Sequence, residues 1–343
     1  MEINKVENMA QKKALVITYY DAPNYGAFLQ AYGTQCFLRS HGVDAQICRH
    51  IANKPTIITK LLDKRSDPEV IQYRNKLQAV IDEAQKYLHV TKGREIYDLA
   101  ILGSDEIWNV KNLTAVHLPV FFQPYQKAKK TISYAACAGK CHVKHLKLLP
   151  YSAGIKKLDA VSVRDAHTEN MLKDFGVESP VRTLDPTFLC DFEDQVPERA
   201  IREAYLLIYT YGLRPEEIEA IHELAKKENL KIVATGSACP WADENPVPSP
   251  FAWLSLIKHS QYVVTSTFHG SVFSIILNKQ FAVIGTNSNK VNSLLDEMQL
   301  QKRKVNRIEE LESVLMETIC YDEINDIRTR KERESAAFIL ENL

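Results

Sequence analysis

His269 stands in the run Gln261 to Leu277, QYVVTSTFHGSVFSIIL, at the point where small polar residues give way to an apolar segment. Tyr262 to Thr265 reads as a short strand, Ser266 and Thr267 as a turn, and Val272, Phe273, Ile276 and Leu277 recur at helical spacing. A strand, a tight turn and a helix start gather unpaired backbone N–H groups and the positive end of a helix dipole, so an anion would be held there. Ser266 or Thr267 can cap the helix, and Gly270 would let a ligand approach the backbone. The imidazole of His269 is the one side chain of the run whose charge changes near neutral pH, which suits proton delivery to a bound anion. A histidine that only closes the turn satisfies the same pattern.

Other strand exits carry candidate groups. In ALVITYYDAPNYGAF, Asn24 and Gly26 follow a buried-type strand, the side on which open α/β sheets bind ligands, although a helix cap and a turn glycine also fit. YDLAILGSDEIWN places Ser104 and Asp105 after a strand and a glycine, where an Asp can cap a helix, orient an imidazole or accept a hydroxyl proton. DAVSVRD ends in Arg164 and Asp165; a guanidinium there matches a carboxylate or a phosphate, or makes a structural ion pair. Asp185-Pro186 in TLDPTFL fixes a bend. Lys290, Lys302 and Arg303 follow the last strand. Cys137, Cys141, His142 and His145 lack a recurrent zinc-ligand spacing, so no metal is expected.

Positioning these groups takes alternating strands and helices. Ala14–Tyr19, Val43–Cys48, Tyr97–Leu102, Thr131–Gly139 and Asp159–Arg164 read as strands of a first series, with helical spacing from Phe28 to Leu38 and surface helices over Lys54–Lys92. Leu206–Thr210, Lys231–Thr235, Tyr262–Thr265 and Phe281–Gly285 form a second, interleaved with helices at Pro215–Glu228 and Phe251–His259. The expected division is a polar tail over 1–12, an N-terminal Rossmann-like domain over 13–192, a C-terminal one over 193–306 and a helical tail over 307–343 that packs back on the body. Six of the twelve glycines follow strand-like runs, which suggests backbone near a ligand in a cleft. No G-x-G-x-x-G, P-loop, H-E-x-x-H or G-x-S-x-G is present.

The balance of 43 basic and 43 acidic residues gives no electrostatic reason to expect nucleic acid or an anionic membrane as a partner. No apolar run approaches the roughly 20 residues of a membrane span, which leaves peripheral contact with a membrane open. Residues 1–13 are polar, with no secretory h-region, and the seven cysteines are odd in number and irregularly spaced, so a cytoplasmic protein with reduced thiols is expected.

In this order, NYGAFLQAYG, YDLAILGSDEIWN, ISYAACAG, DAVSVRD, LDPTFL and VVTSTFHGSVFSII resemble the polysaccharide pyruvyl transferase family of bacteria, from about Lys13 to about Arg303. That resemblance implies two Rossmann-like domains facing a cleft, similar to the GT-B glycosyltransferases. It also implies transfer of a pyruvate-ketal unit from phosphoenolpyruvate, a donor substrate and not a cofactor, to a sugar diol or lipid-linked sugar. By the same resemblance His269 is the acid and Asp105 orients groups or receives a hydroxyl proton. Arg164, Ser266, Thr267, Gly270, Lys290 and Arg303 lie on the donor side, Asn24, Gly26 and Ser104 on the acceptor side. Thr267 stands where many members have Arg, Lys290 where Arg is frequent, and Cys137 where Ser is usual. Part of the anion site must then come from Arg164, Lys290 or Arg303. The alternatives are a nucleotide-sugar donor, or a non-catalytic glycan-binding or partner-binding protein in which Trp108, Trp241 or Trp253 stacks on sugar. Acceptor selectivity is expected in loops near Asn109–Gln126 and Gly236–Ser249.

Overall fold

The structure, a computed structural model, describes residues 11–49, 67–112 and 119–343. Strands β1 (Lys13–Ile17), β2 (Asp44–Cys48), β3 (Val90–Thr91), β4 (Tyr97–Leu102), β5 (Ala128–Ala136), β6 (Ala160–Val163) and β7 (Val181–Arg182) form a parallel sheet in the order β3-β2-β1-β4-β5-β6-β7. Strands β8 (Tyr205–Tyr209), β9 (Lys231–Ala234), β10 (Tyr262–Thr265) and β11 (Phe281–Val283) form a second parallel sheet, in the order β11-β10-β8-β9. Helices cover both faces of such sheets, so their strands are near-continuous apolar runs. Ala14–Ile17, Leu99–Leu102 and Tyr205–Tyr209 are buried throughout. The register sets Val16 beside both Ile47 and Ile101, and Thr265 beside Tyr209.

Local signals set where the helices begin. Asn24 caps α1 (Tyr25–Ser40) by accepting from Ala27 N, and Asp67 caps α2 (Pro68–Ala84), whose first residue is proline. After the short α3 (Val143–Leu146), α4 (Ala166–Phe175) is capped by Asp165 and stops at Gly176, whose φ of 87° lies in the left-handed region. The second sheet carries α5 (Pro215–Lys227), α6 (Pro250–His259), α7 (Phe268–Ile276) and α8 (Asn289–Glu297). The chain closes with α9 (Leu311–Met316) and α10 (Tyr321–Leu340).

One expectation changes. Of the helical reading over 54–92, residues 54–66 lie outside the described residues, and Val90–Thr91 is an edge strand. Its β-branched pair extends the sheet beside Ile47 and Cys48. At the bend of Asp185-Pro186, residues 186–189 form a 3₁₀ turn capped by Asp185.

The two sheets share a packed aromatic seam. Tyr25 stacks on Trp253 with centroids 5.2 Å apart, Tyr209 lies 4.7 Å from the same indole, and Phe251 meets Phe28 and Tyr32 edge-on. Trp108 and Trp253 are fully buried, and Trp108 Nε1 donates to Phe121 O, so both belong to the core and are not available for sugar stacking. Trp241 is half-buried beside His222. Across the seam the Tyr73 hydroxyl donates to Pro246 O and accepts from Gly236 N, each at 2.9 Å. Helix α10 spans both sheets: Tyr321 donates to Ser274 O and Lys279 O, Arg328 to Ile276 O, and Ser335 Oγ accepts from Leu184 N. Among the described residues no helix is long and apolar enough to cross a membrane.

Candidate active site

The carboxyl ends of β1, β4, β6 and β10 meet. In the first sheet the strand order reverses at β1 and β4, the place where open α/β sheets take their ligands. The loop after β1 brings Asn24 and Gly26, the turn after β4 brings Ser104, Asp105 and Glu106, and β6 ends on Arg164. From the second sheet, β10 leads through Ser266 and Thr267 into α7 and His269.

His269, 7% exposed, is the second residue of α7, whose first-turn N–H groups have no intrahelical acceptor. Its Nε2 lies 3.5 Å from Asp185 Oδ2, an ion-pair distance longer than a good hydrogen bond. The other face of the ring rests on α1: a Cβ at residue 26 would sit 1.9 Å from His269 Nδ1. Gly26 is therefore the residue that makes room for the imidazole. Gly270 has a comparable local cause, since a Cβ there would meet Thr265 Oγ1 at 2.2 Å and Thr267 Oγ1 at 2.7 Å. Those hydroxyls build the helix start: Thr267 Oγ1 accepts from Gly270 N, and Thr265 Oγ1 accepts from Thr267 N. Ser266 Oγ accepts from Tyr211 N.

Asp185 is the centre of the buried charge network and was read from sequence only as part of a bend. Its Oδ1 accepts from Thr187 N and Thr187 Oγ1, which leaves Oδ2 for Ser104 Oγ at 3.1 Å, Arg164 NH1 at 3.0 Å and the facing His269. Burial opposes the charge of Asp185, but His269, Arg164 and the Thr187 N–H more than offset it and hold its pKa well below the usual carboxylate range. Ser104 is fully buried beneath this carboxylate, and its backbone carbonyl accepts from Thr18.

Arg164 NH2 reaches Asp105 Oδ1 at 3.4 Å, its Nε has no partner among the described residues, and its guanidinium lies 4.3 Å over the Phe268 ring. Asp105 has a φ of 73°, a left-handed conformation that costs of order 1 kcal/mol in a non-glycine residue. Its Oδ1 also accepts from Glu106 N. Glu106 is the second group absent from the sequence reading; only its place beside Asp105 could have singled it out. Its Oε1 lies 2.7 Å from Lys290 Nζ, and its Oε2 accepts from Asn109 Nδ2. Burial works against the Glu106 charge, but Lys290 and Asn109 bring its pKa down to about 2. Burial likewise works against Lys290, and Glu106 more than offsets it, so the Lys290 pKa is raised.

Asp105, Glu106, Asp185, Arg164, Lys290 and His269 thus form one cluster around Phe268. Arg303 is not part of it: 2% exposed, it donates to Glu317 O at 2.8 Å and pairs with the Glu317 carboxylate. Asn24 is engaged as the α1 cap. Among the described residues no group of His, Cys, Asp or Glu could hold a metal ion; Cys137 is fully buried and its Sγ accepts from Gly139 N.

The family model for polysaccharide pyruvyl transferase matches residues 24–288, a span that contains every member of this cluster except Lys290. The chain belongs to the polysaccharide pyruvyl transferase family. Like that family's members it is a transferase of the polysaccharide-modifying class. No curated protein sequence matches it. Among solved structures it is similar to UDP-GlcNAc 2-epimerase from Neisseria meningitidis bound to UDP-GlcNAc, at 12% identity over 96% of this chain and 99% of that chain, with a TM-score of 0.51. It is also similar to UDP-N-acetylglucosamine 2-epimerase from Rickettsia bellii, at 10% identity over 96% of each chain, with a TM-score of 0.47. At such identities the likeness concerns the fold alone, which is α/β of the GT-B type.

Proposed function

We propose that this family member transfers a pyruvate-ketal unit from phosphoenolpyruvate to a sugar diol. The observation that carries the proposal is the placement of His269 at the start of α7, backed by Asp185 and flanked by Arg164 and Lys290. The first sheet then serves the acceptor and the second the donor.

A proton from His269 passes to the methylene carbon of the donor, which becomes a methyl group and leaves an oxocarbenium at the adjacent carbon. One acceptor hydroxyl attacks that carbon and gives up its proton, for which Asp105 is the receiving carboxylate. The carbon–oxygen bond to phosphate breaks, the second hydroxyl closes the ketal, and its proton leaves with the phosphate. Of the two hydroxyl protons, one in effect replaces the proton spent on the methyl group and one departs with phosphate. The donor's anionic groups are held by the first-turn N–H groups of α7 and by Lys290, with Arg164 fixed beneath.

Phosphate release from phosphoenolpyruvate in the presence of candidate sugar diols tests this function. Turnover should fall about a hundredfold or more in His269→Ala with donor affinity largely kept, as loss of a general acid does. Unchanged turnover in that variant removes His269 from the mechanism. A nucleotide-sugar donor is the second reading, motivated by Thr267 at the position where family members frequently have Arg, and by the engagement of both Arg164 and Lys290 with carboxylates.

A further inference from the structure

The chain is neutral as a whole, but its charge is segregated. From Ile107 to Leu158 there is no Asp or Glu, and there are nine lysines. Among the described residues Lys129, with Asp98, is the one lysine of that run in an ion pair. Among the described residues the other lysines form no ion pair, and Lys140, Lys144 and Lys147 follow the carboxyl end of β5.

Helix α3 and the turn after it form the centre of this face. Leu146 anchors the segment in the core, while Lys140, Lys144, Lys147 and Leu148 are exposed, Leu148 to 78%. The His142 ring lies 5.8 Å from His145 and 5.6 Å from His167. Desolvation first, then His167, His145, Lys144 and Lys111, depress the His142 pKa, and no carboxylate opposes them. The face adjoins the candidate active site: Cys141 Sγ donates to Asn109 Oδ1, and Asn109 Nδ2 donates to Glu106.

An isolated exposed leucine needs no explanation. A projecting leucine set among unneutralised lysines combines the two contacts a bilayer surface offers, anionic headgroups for the lysines and an apolar boundary for the leucine. We propose that this face docks on an anionic lipid bilayer, with Lys144 and Lys147 on headgroup phosphates and Leu148 in the interfacial layer. The docking does not depend on which donor the enzyme uses.

Co-sedimentation of the full chain with phosphatidylglycerol vesicles, and with phosphatidylcholine vesicles as control, tests it. Binding is expected to the anionic vesicles alone and to weaken as salt is raised. A lysine near an anionic bilayer contributes about fivefold in affinity, so Lys144→Glu with Lys147→Glu should weaken binding more than about twentyfold. Leu148→Ser should weaken it severalfold with the salt dependence retained. All three positions are exposed, so the variants are expected to melt as the parent does. No binding to anionic vesicles at low salt, or equal binding by the lysine variant, overturns the proposal. So does binding to a short DNA duplex as tight as to vesicles and indifferent to Leu148→Ser, which would mark a general polyanion site.

Discussion

The imidazole of His269 is held between a carboxylate and a glycine, and the two contacts predict different failures. Gly26→Ala would drive a methyl group into the ring, 1.9 Å from Nδ1 as it stands, so the imidazole must turn away. Turnover should fall about as far as in His269→Ala, roughly a hundredfold, with a change of only a few degrees in melting temperature. Asp185→Asn should damage both, because Arg164 would keep its buried charge with one partner weakened; breaking a buried pair costs about 3–5 kcal/mol. Glu106 predicts a pH dependence. Its folded pKa, about 2, lies below the ordinary 4.5, so its stabilisation is complete above about pH 4.5 and is lost as the pH falls toward 2. The urea midpoint of wild type should exceed that of Glu106→Gln at pH 7, and the gap should close in acid; a constant gap would mean that the charge contributes nothing. At this scale the sequence showed candidate groups but not their partners. His269 and Arg164 are visible as residue types at strand exits, whereas Asp185, 84 positions before the histidine, joins them only through the fold. Arg303 looked equally free because Glu317, which occupies it, lies beyond the last strand.

At the scale of elements, the start of α7 depends on stacked hydroxyls. Thr267→Ala removes the cap that accepts from Gly270 N, which should cost about 1 kcal/mol in denaturant titration. Thr267→Ser should recover it. The seam between the sheets depends on Tyr73 in the same way. Tyr73→Phe leaves the Gly236 N–H and the Pro246 carbonyl without that hydroxyl, a loss of about 1–3 kcal/mol if they stay buried. An unchanged midpoint would show that water replaces the phenol. Strand and helix periodicity made most of these elements legible, from Tyr262–Thr265 through the helix after it. The exceptions follow from pairing: Val90–Thr91 is a strand because β2 offers it an edge, which no local period records.

At the scale of the molecule, the cluster is assembled from both sheets: Asp105, Glu106, Arg164 and Asp185 come from one, His269 and Lys290 from the other. The seam of Tyr25, Trp253 and Tyr209, together with α10, keeps these contributions in register. The two-sheet plan was legible because strand exits with small residues recur along the chain, and the ordered motifs pointed to the family. The mutual neutralisation of the cluster was not, since it arises from contacts between residues far apart in sequence. Under the proposed function phosphoenolpyruvate would displace Glu106 from Lys290 or bind beside that pair, which makes donor binding its most direct test. Calorimetric titration of the full chain with phosphoenolpyruvate, UDP and GDP should give heat with phosphoenolpyruvate alone, weakened about tenfold or more in Lys290→Gln. Binding of UDP or GDP with no response to phosphoenolpyruvate would contradict the pyruvyl donor and turn the assignment to glycosyl transfer.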